Sequence, residues 1–427
     1  MSAPRKLLVV QLAALGWSLV RNRTDFQPVQ TLFPALTCTF QAGFRTCTQA
    51  GTHGMIANGL FFPDLAKVLF WEQSHSLVEG PRIWDDFRAR GGKVGLMFWQ
   101  QSMGEAADLI VTPAPIHKHS GGMIQSCYSQ PPGLEQYLTE QIGRKFNLMN
   151  YWGPLANHKS SDWIVDAICA SVRSRQYSPD ILFTYVPHLD YDLQRYGPQS
   201  PQANKALDVL LGYLSRIKAA CAEAGWDWLF VGDYAIEQVT RAAVFPNRAL
   251  REAGLFATRD IAGMDYTDFF TSRAFAVVDH QVANVHCRDK DSRTAAAEVL
   301  ANLPGVAEVL DRPAQNARSV ASKRAGDLII VAERGAWFAY PWFEKKRAPD
   351  YATHVDIHNK PGYDPCELFF GWPPLSVSFD TTKINGAHGR VGEGYEVAWS
   401  SSLNFETEPA DVLDLSRRVQ SWMSNRA

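Results

Sequence analysis

Residues 7–12 have the sequence Leu-Leu-Val-Val-Gln-Leu, five apolar residues and one glutamine. A short apolar run of this kind is typical of a strand that is buried on both faces, as strands of parallel sheets are. Similar runs recur along the chain, at Val94–Trp99, Ile181–Val186, Trp228–Val231 and Leu328–Val331. Together they predict a sheet of buried, mostly parallel strands.

The first run has a second interpretation, because Arg5 and Lys6 precede an apolar stretch that continues to Val20. A basic start followed by apolar residues also occurs in secretory signal peptides. Gln11 interrupts the stretch, however, and no small-residue cleavage site follows it. We therefore interpret Lys6–Leu12 as the first strand.

Segments with a helical period of apolar residues lie between the predicted strands, in Asp162–Ser174 and Asn204–Ala224. Strands that alternate with helices predict a three-layer α/β/α fold with a mostly parallel central sheet. Functional residues of such folds lie just beyond the carboxyl ends of the strands. Polar residues that directly follow the apolar runs are therefore candidates for a site.

One region interrupts this alternation. Phe275–Val278 and Val282–His286 resemble strands, Thr294–Leu303 resembles a helix, and Val306–Leu310 resembles a further strand. We interpret residues 245–325 as an inserted cap subdomain, and residues 1–244 and 326–427 as the catalytic core.

The composition narrows the classes of function. The 427 residues are 46% hydrophobic, enough for a large core, and 42 Lys and Arg oppose 44 Asp and Glu, a net charge of −2. This balance argues against binding of a nucleic acid polymer or an anionic membrane. No further stretch reaches the ~18–20 apolar residues of a membrane span. We expect a small substrate, and the sequence leaves a homo-oligomer open.

The number and spacing of the cysteines indicate the redox state of the cellular compartment. There are seven, an odd number, and no two of them form a Cys-x-x-Cys pair. Scattered cysteines in a long chain favour reduced thiols, and hence a cytoplasmic protein, over a disulfide framework or a thiolate zinc site.

The first polar cluster follows the first predicted strand and a turn. It contains Thr37 and Thr39, and then His53-Gly54 and Asn58. A threonine hydroxyl at a helix N-terminus could act as a nucleophile toward a phosphate that the helix dipole favours. Either threonine could instead be an N-cap of the helix.

The later clusters carry acidic, imidazole and amide side chains. Asp190 follows the strand Ile181–Val186, with His188 and Gln194 on either side, and Asp233-Tyr234 follows the strand Trp228–Val231. His388 lies near the C-terminus. His354, Asp356 and His358 alternate, so that they share a face if the segment is extended. His280 and His286 fall in the predicted cap, where we expect surface or internally satisfied histidines.

The spacing of Pro34, Thr37, Thr46, His53-Gly54 and Asn58 resembles that of the nucleotide pyrophosphatase/phosphodiesterase and phosphonoacetate hydrolase branch of the alkaline phosphatase superfamily. The resemblance implies an alkaline phosphatase-like fold. It also implies that Thr37 is the nucleophile and that Asn58 contacts the phosphate.

The same resemblance implies a divalent metal, with zinc favoured over manganese and one or two ions bound. Asp190 and His388 would hold one ion, and Asp233 a second. Three positions depart from the family pattern, because Gln194 and Tyr234 stand where the pattern has histidines, and Ala13 stands where it has a carboxylate. The side chains that could supply the missing ligands are His188, His354, Asp356 and His358.

These features predict metal-dependent hydrolysis of a phosphate ester, phosphodiester or phosphonate through Thr37, at an atypical and partly degenerate metal site. The alternative is a relative that binds a phosphorylated metabolite without turnover, or one that transfers a phosphoryl group.

Overall fold

The structure is a computed structural model that describes residues 5–23, 25–119, 122–355 and 360–425. The strands of these residues are β1 (Lys6–Leu12), β2 (Gln27–Val29), β3 (Gly59–Phe62), β4 (Lys67–Phe70), β5 (Val94–Met97), β6 (Leu109–Pro113), β7 (Ile116–His117), β8 (Met123–Ile124), β9 (Cys127–Gln130), β10 (Ile181–Val186), β11 (Trp226–Gly232), β12 (Glu237–Gln238), β13 (Thr258–Ile261), β14 (Met264–Thr267), β15 (Ala274–Asp279), β16 (Val282–Cys287), β17 (Val306–Leu310), β18 (Leu328–Ala332), β19 (Gly386–Ala387) and β20 (Val397–Ser401).

The helices are α1 (Trp17–Val20), α2 (Thr37–Thr46), α3 (Ala50–His53), α4 (Asp85–Ala89), α5 (Leu134–Ile142), α6 (His158–Arg173), α7 (His188–Tyr196), α8 (Pro201–Ala224), α9 (Pro246–Glu252), α10 (Lys290–Ala301), α11 (Arg312–Ala317) and α12 (Val412–Ser424). The predicted first strand and the strand Ile181–Val186 are confirmed in full.

The central sheet has eight strands in the order β2-β20-β11-β1-β10-β5-β6-β9. The five inner strands, from β11 to β6, run parallel, and antiparallel strands lie at both edges. Because successive side chains of a strand point to opposite faces, Leu8 and Val10 of β1 pack in one apolar layer and Leu7 and Val9 in the other. The first layer includes α6 and α8, and the second includes α2 and α12. The predicted three-layer α/β/α fold is thus confirmed.

A second, four-stranded antiparallel sheet has the order β15-β16-β18-β17. It packs with α9 and α10 around an apolar core of its own. Leu328–Val331 belongs to this sheet, in β18, and the prediction that it extends the parallel sheet was wrong. An apolar run indicates that a strand is buried but does not specify which sheet it joins. The second sheet includes strands on both sides of residue 325, and the cap boundaries at 245 and 325 stay a prediction.

No helix within the described ranges is long and apolar enough to cross a membrane. All seven cysteines lie in those ranges, and each carries a free thiol.

Candidate active site

The carboxyl ends of the parallel strands place the predicted segments at one edge of the central sheet. β10 leads into α7, which carries Asp190 in its first turn. β11 is followed directly by Asp233 and Tyr234. α2 begins at Thr37, and His388 follows β19. The fold therefore brings residues from distant parts of the chain to the same edge.

Several of these residues line a common pocket, namely Thr37, Asn58, Asp190, Gln194, Tyr234 and His388. Aromatic side chains from other segments, including those of Trp71, Tyr151, Tyr191 and Tyr363, form much of its wall. Leu36 is the N-cap of α2, and no side chain caps that helix. The N-cap alternative for Thr37 is therefore wrong, and its side chain, 3% exposed, faces the pocket instead.

Asn58 is held between the two sheets. Its Oδ1 accepts a hydrogen bond from the Cys38 backbone N–H at the start of α2, at 3.0 Å. Its own N–H and its Nδ2 donate to the two carboxylate oxygens of Asp279, at 2.8 and 3.2 Å. Asp279 also lies 2.8 Å from the Nδ1 atom of His280. A buried carboxylate from the second sheet thus fixes the amide beside Thr37.

His280 occupies a tight turn between β15 and β16, with a φ of 56°. Left-handed backbone is costly for a residue with a side chain, and such strain is concentrated at functional sites. Its Nε2 is buried without a hydrogen-bond partner among the described residues, and the side chain lines the pocket. His280 therefore presents an unused ring nitrogen to whatever the pocket binds.

Asp190 accepts two side-chain hydrogen bonds. The Tyr234 hydroxyl donates to its Oδ1 at 3.0 Å, and Gln194 Nε2 donates to its Oδ2 at 2.6 Å. Burial raises the pKa of Asp190, while His280 and the two donors act in the opposite direction. Burial likewise raises the pKa of Tyr234 well above its ordinary value. Asp190 adds to that rise, and a hydrogen bond with the Thr37 side chain opposes it.

His388 lies against this cluster. Its ring stacks on that of Tyr234 with the centroids 3.6 Å apart, and its Nδ1 lies 2.9 Å from the Ala35 carbonyl oxygen. A carbonyl can only accept, so Nδ1 carries the proton and Nε2 is left as an acceptor. Burial, followed by the neighbouring His280, lowers the pKa of His388 well below its ordinary value. Its Nε2 lies 4.0 Å from Asp190 Oδ1.

Asp233 lies behind the pocket. Its Oδ2 accepts from Gln11 Nε2 at 2.5 Å, and its Oδ1 accepts from the backbone N–H groups of Ala14 and Tyr234 at 3.0 and 2.9 Å. Burial raises its pKa to about 8, although these hydrogen bonds oppose the rise. Gln11, which interrupts the first apolar run, is thus the hydrogen-bond partner of Asp233.

The donor set does not fit the divalent cation that the resemblance implies. Within the described part of the chain, no group of three or more His, Cys, Asp or Glu side chains could hold a metal ion. Gln194 and Tyr234 direct N–H and O–H donors at Asp190, and Asp233 is surrounded by N–H donors. Metal ligands need free lone pairs that converge on the ion.

Three further predicted site residues within the described part of the chain do not line this pocket. His188 is buried in the helical layer, where its Nε2 lies 3.1 Å from the Ala206 carbonyl oxygen. Thr39 is buried within α2. His354 is exposed, and its Nδ1 lies 3.0 Å from the Asp350 carbonyl oxygen. Asp356 and His358 lie outside the described residues.

Sequence reasoning missed Asp279 and His280. We expected His280 to be a surface or internally satisfied residue, and that expectation was wrong for its Nε2. A signal existed, because Asp279-His280 directly follows the apolar run Phe275–Val278, as Asp190 and Asp233 follow theirs.

His53 leads to a prediction about acid stability. It is fully buried, its Nδ1 accepts from the Met55 N–H, and burial, followed by the charge of Arg45, lowers its pKa from 6.5 to about 3. The unfolded chain binds this proton below pH 6.5, whereas the folded chain does not until about pH 3. Stability is therefore lost as the pH falls through this window, by about 2 kcal/mol between pH 7 and pH 5.

Urea unfolding of the wild type and of His53→Gln at both pH values measures this contribution. We expect the substitution to shrink the loss of unfolding free energy between pH 7 and pH 5 by about 2 kcal/mol. An equal loss in both proteins would contradict the assignment.

The sequence and the fold both resemble those of known proteins. Residues 18–364 match the family model of type I phosphodiesterase / nucleotide pyrophosphatase. The fold is similar to that of phosphonoacetate hydrolase from Sinorhizobium meliloti 1021 in complex with phosphonoformate, with 14% identity, a TM-score of 0.64, and coverage of 98% of this chain and 96% of that one.

It is also similar to human ectonucleotide pyrophosphatase / phosphodiesterase 5, at 14% identity with a TM-score of 0.60 and coverage of 98% and 95% of the two chains. The structure of an inactive threonine-to-alanine variant of the murine protein in complex with AMP matches at 14% identity with a TM-score of 0.58, covering 99% and 95%. A search of curated protein sequences finds no match. The family is typically dependent on divalent metals. The chain belongs to the type I phosphodiesterase / nucleotide pyrophosphatase family, and is a phosphoric ester hydrolase.

Proposed function

We propose that the pocket hydrolyses a small phosphate ester, phosphodiester or phosphonate, with Thr37 as the nucleophile. The observation that carries this proposal is the convergence of Thr37, Asn58, Asp190 and His388 in one pocket at the carboxyl edge of the parallel strands. The named neighbours fit the same substrate class, since their structures hold phosphonoformate and AMP.

In the proposed reaction Thr37 Oγ1 attacks phosphorus, and the Thr37 hydroxyl proton passes to the leaving group. The bond from phosphorus to the leaving group breaks with its electron pair, and a water molecule later hydrolyses the phosphothreonine. Thr37 is the first residue of the ten-residue helix α2, so that the positive end of the helix dipole faces the phosphoryl oxygens.

Asn58 supplies a further donor. One Nδ2 hydrogen is taken by Asp279, and the second is available to a phosphoryl oxygen. Because Asp279 and the Cys38 N–H fix both ends of the amide, this donor is held in place before substrate binds. Preorganised donors of this kind stabilise the charge that develops in a transition state.

The substrate is expected to be small and to carry an aromatic or heterocyclic group. Trp71, Tyr151, Tyr191 and Tyr363 supply flat apolar surfaces around the reacting atoms. Aromatic surfaces of this kind favour stacking on a ring.

Turnover of a substrate panel tests the proposal. The panel consists of p-nitrophenyl phosphate, bis(p-nitrophenyl) phosphate, p-nitrophenyl phenylphosphonate and AMP. Two readouts are measured for each compound: product release, and mass spectrometry of acid-quenched protein. We expect product release from at least one compound, and a phosphoryl adduct on the peptide that contains Thr37. An adduct that maps to another residue would contradict the role of Thr37.

A second candidate is binding of a phosphorylated metabolite without turnover, or transfer of the phosphoryl group to an acceptor other than water. The hydrogen bonds that surround Asp190 and Asp233 favour it, since they leave no cation site of the kind the family pattern implies. Calorimetric binding of AMP with no release of phosphate would support binding alone. Release of phosphate only when an alcohol is added would support transfer.

A further inference from the structure

Hydrogen-bond donors contact Asp190 at the positions that a bound cation would otherwise occupy. The Tyr234 hydroxyl and the Gln194 amide each donate to one oxygen of its carboxylate. The Tyr234 ring also covers one face of His388, with the two rings 4° from parallel. The space between Asp190 and His388 is thus bordered by a phenol and an amide.

Hydrogen-bond donors surround the buried carboxylates of the cluster without an ion. Asp190 is largely buried, and O–H and N–H dipoles directed at a carboxylate stabilise it in place of a counter-charge. Asp233, deeper in the fold, receives three donors of its own.

Tyr234 also lies beside the proposed nucleophile. Its hydroxyl donates to Asp190 Oδ1 at 3.0 Å, and its side chain lines the same pocket as Thr37. The donor that stabilises Asp190 thus belongs to the pocket in which Thr37 would act.

We propose that Tyr234 and Gln194 take the place of a divalent cation at Asp190, so that the pocket acts without a bound metal ion. This inference rests on the proposed function, in which Thr37 is the nucleophile.

Metal content tests the inference independently of any substrate. We expect full-length protein purified without chelators to hold less than about a tenth of an equivalent of zinc and manganese together by elemental mass spectrometry. We also expect no shift in thermal midpoint on addition of either ion. One equivalent of tightly bound metal, or loss of turnover after EDTA treatment, would overturn the proposal.

A gain-of-binding variant sharpens this test. Gln194→His places an imidazole four residues after Asp190 on α7, on the same face of the helix and close to His388. We expect this variant to retain about one equivalent of zinc, because three good ligands then converge. Zinc content equal in the variant and the wild type would count against the view that Gln194 excludes the ion.

Tyr234→Phe tests the role of the Tyr234 hydroxyl. It keeps the ring that stacks on His388 but removes the donor to Asp190, and we expect turnover to fall by about 10²–10³-fold with the metal content unchanged. Tyr137→Phe is the matched control, since that hydroxyl bonds Ser174 away from the pocket and we expect no effect. Turnover of Tyr234→Phe within about twofold of the wild type would overturn the role of this hydroxyl. Failure of the proposed function itself would show separately, as full activity of Thr37→Ala.

Discussion

Replacement of Thr37 by alanine is expected to lower kcat by about 10³-fold or more, with little change in the thermal midpoint. The hydroxyl lines the pocket, whereas the rest of the side chain fills a small volume at the start of α2. Loss of the attacking oxygen removes the covalent step altogether.

Steady-state kinetics on the best substrate of the panel measures this effect. Thr37→Ser is the conservative variant, because it keeps the oxygen, and we expect it to retain activity within about tenfold. Thr294→Ala, an exposed threonine on α10, controls for the substitution itself. Turnover by Thr37→Ala equal to that of the wild type would remove Thr37 from the mechanism.

The second large effect concerns stability. Arg45 on α2 is fully buried, its guanidinium donates to the carbonyl oxygens of Gln100 and Gln101, and Glu105 is its ion-pair partner at 3.5 Å. Glu105 also pairs with Arg82 at 2.8 Å. Burial lowers the pKa of Arg45 to about 10, and Glu105 opposes that shift.

Glu105→Gln is expected to reduce the free energy of unfolding by about 3–5 kcal/mol, because it leaves a buried cation without its counter-ion. Urea unfolding at neutral pH measures the change. Glu223→Gln, which breaks an exposed pair with Arg173, is the matched control, with an expected effect below about 1 kcal/mol. Equal effects of the two substitutions would show that burial does not govern the Glu105 contribution.

We expect Glu105→Gln to affect the pocket as well. Arg45 holds the Gln100 carbonyl, and the Gln100 side chain lines the pocket. We therefore expect KM to rise in Glu105→Gln at temperatures where the protein is still folded. The stability of α2 and the shape of the site are linked through this one arginine.

Much of the fold could be predicted from the sequence because buried parallel strands consist of short, mostly apolar runs. The run Ile181–Val186 coincides with β10. Leu328–Val331 was assigned to the wrong sheet, because an apolar run specifies burial and not the pairing partner. The cap boundaries could not be tested in the same way.

The site was predictable where spacing in the chain reflects one local structure, as from Thr37 to Asn58. It was less predictable where contacts join distant segments. The bond from Gln11 to Asp233 crosses the sheet between neighbouring strands, and that from Asp279 to Asn58 crosses between sheets. Neither is visible in any window of sequence. His354 matched a ligand pattern but lies on the surface.

The carboxylate of Asp279 has a consequence for how this enzyme could diversify. It belongs to a strand of the smaller sheet, yet it accepts hydrogen bonds from Asn58, whose amide we expect to contact the phosphoryl group. A substitution in that sheet that lets the pocket bind a substrate with a different organic group would also displace Asn58. Substrate selectivity and turnover rate therefore depend on the same contact. We expect new specificities to arise through substitutions in the aromatic wall, which leave the hydrogen bonds between Asp279 and Asn58 in place.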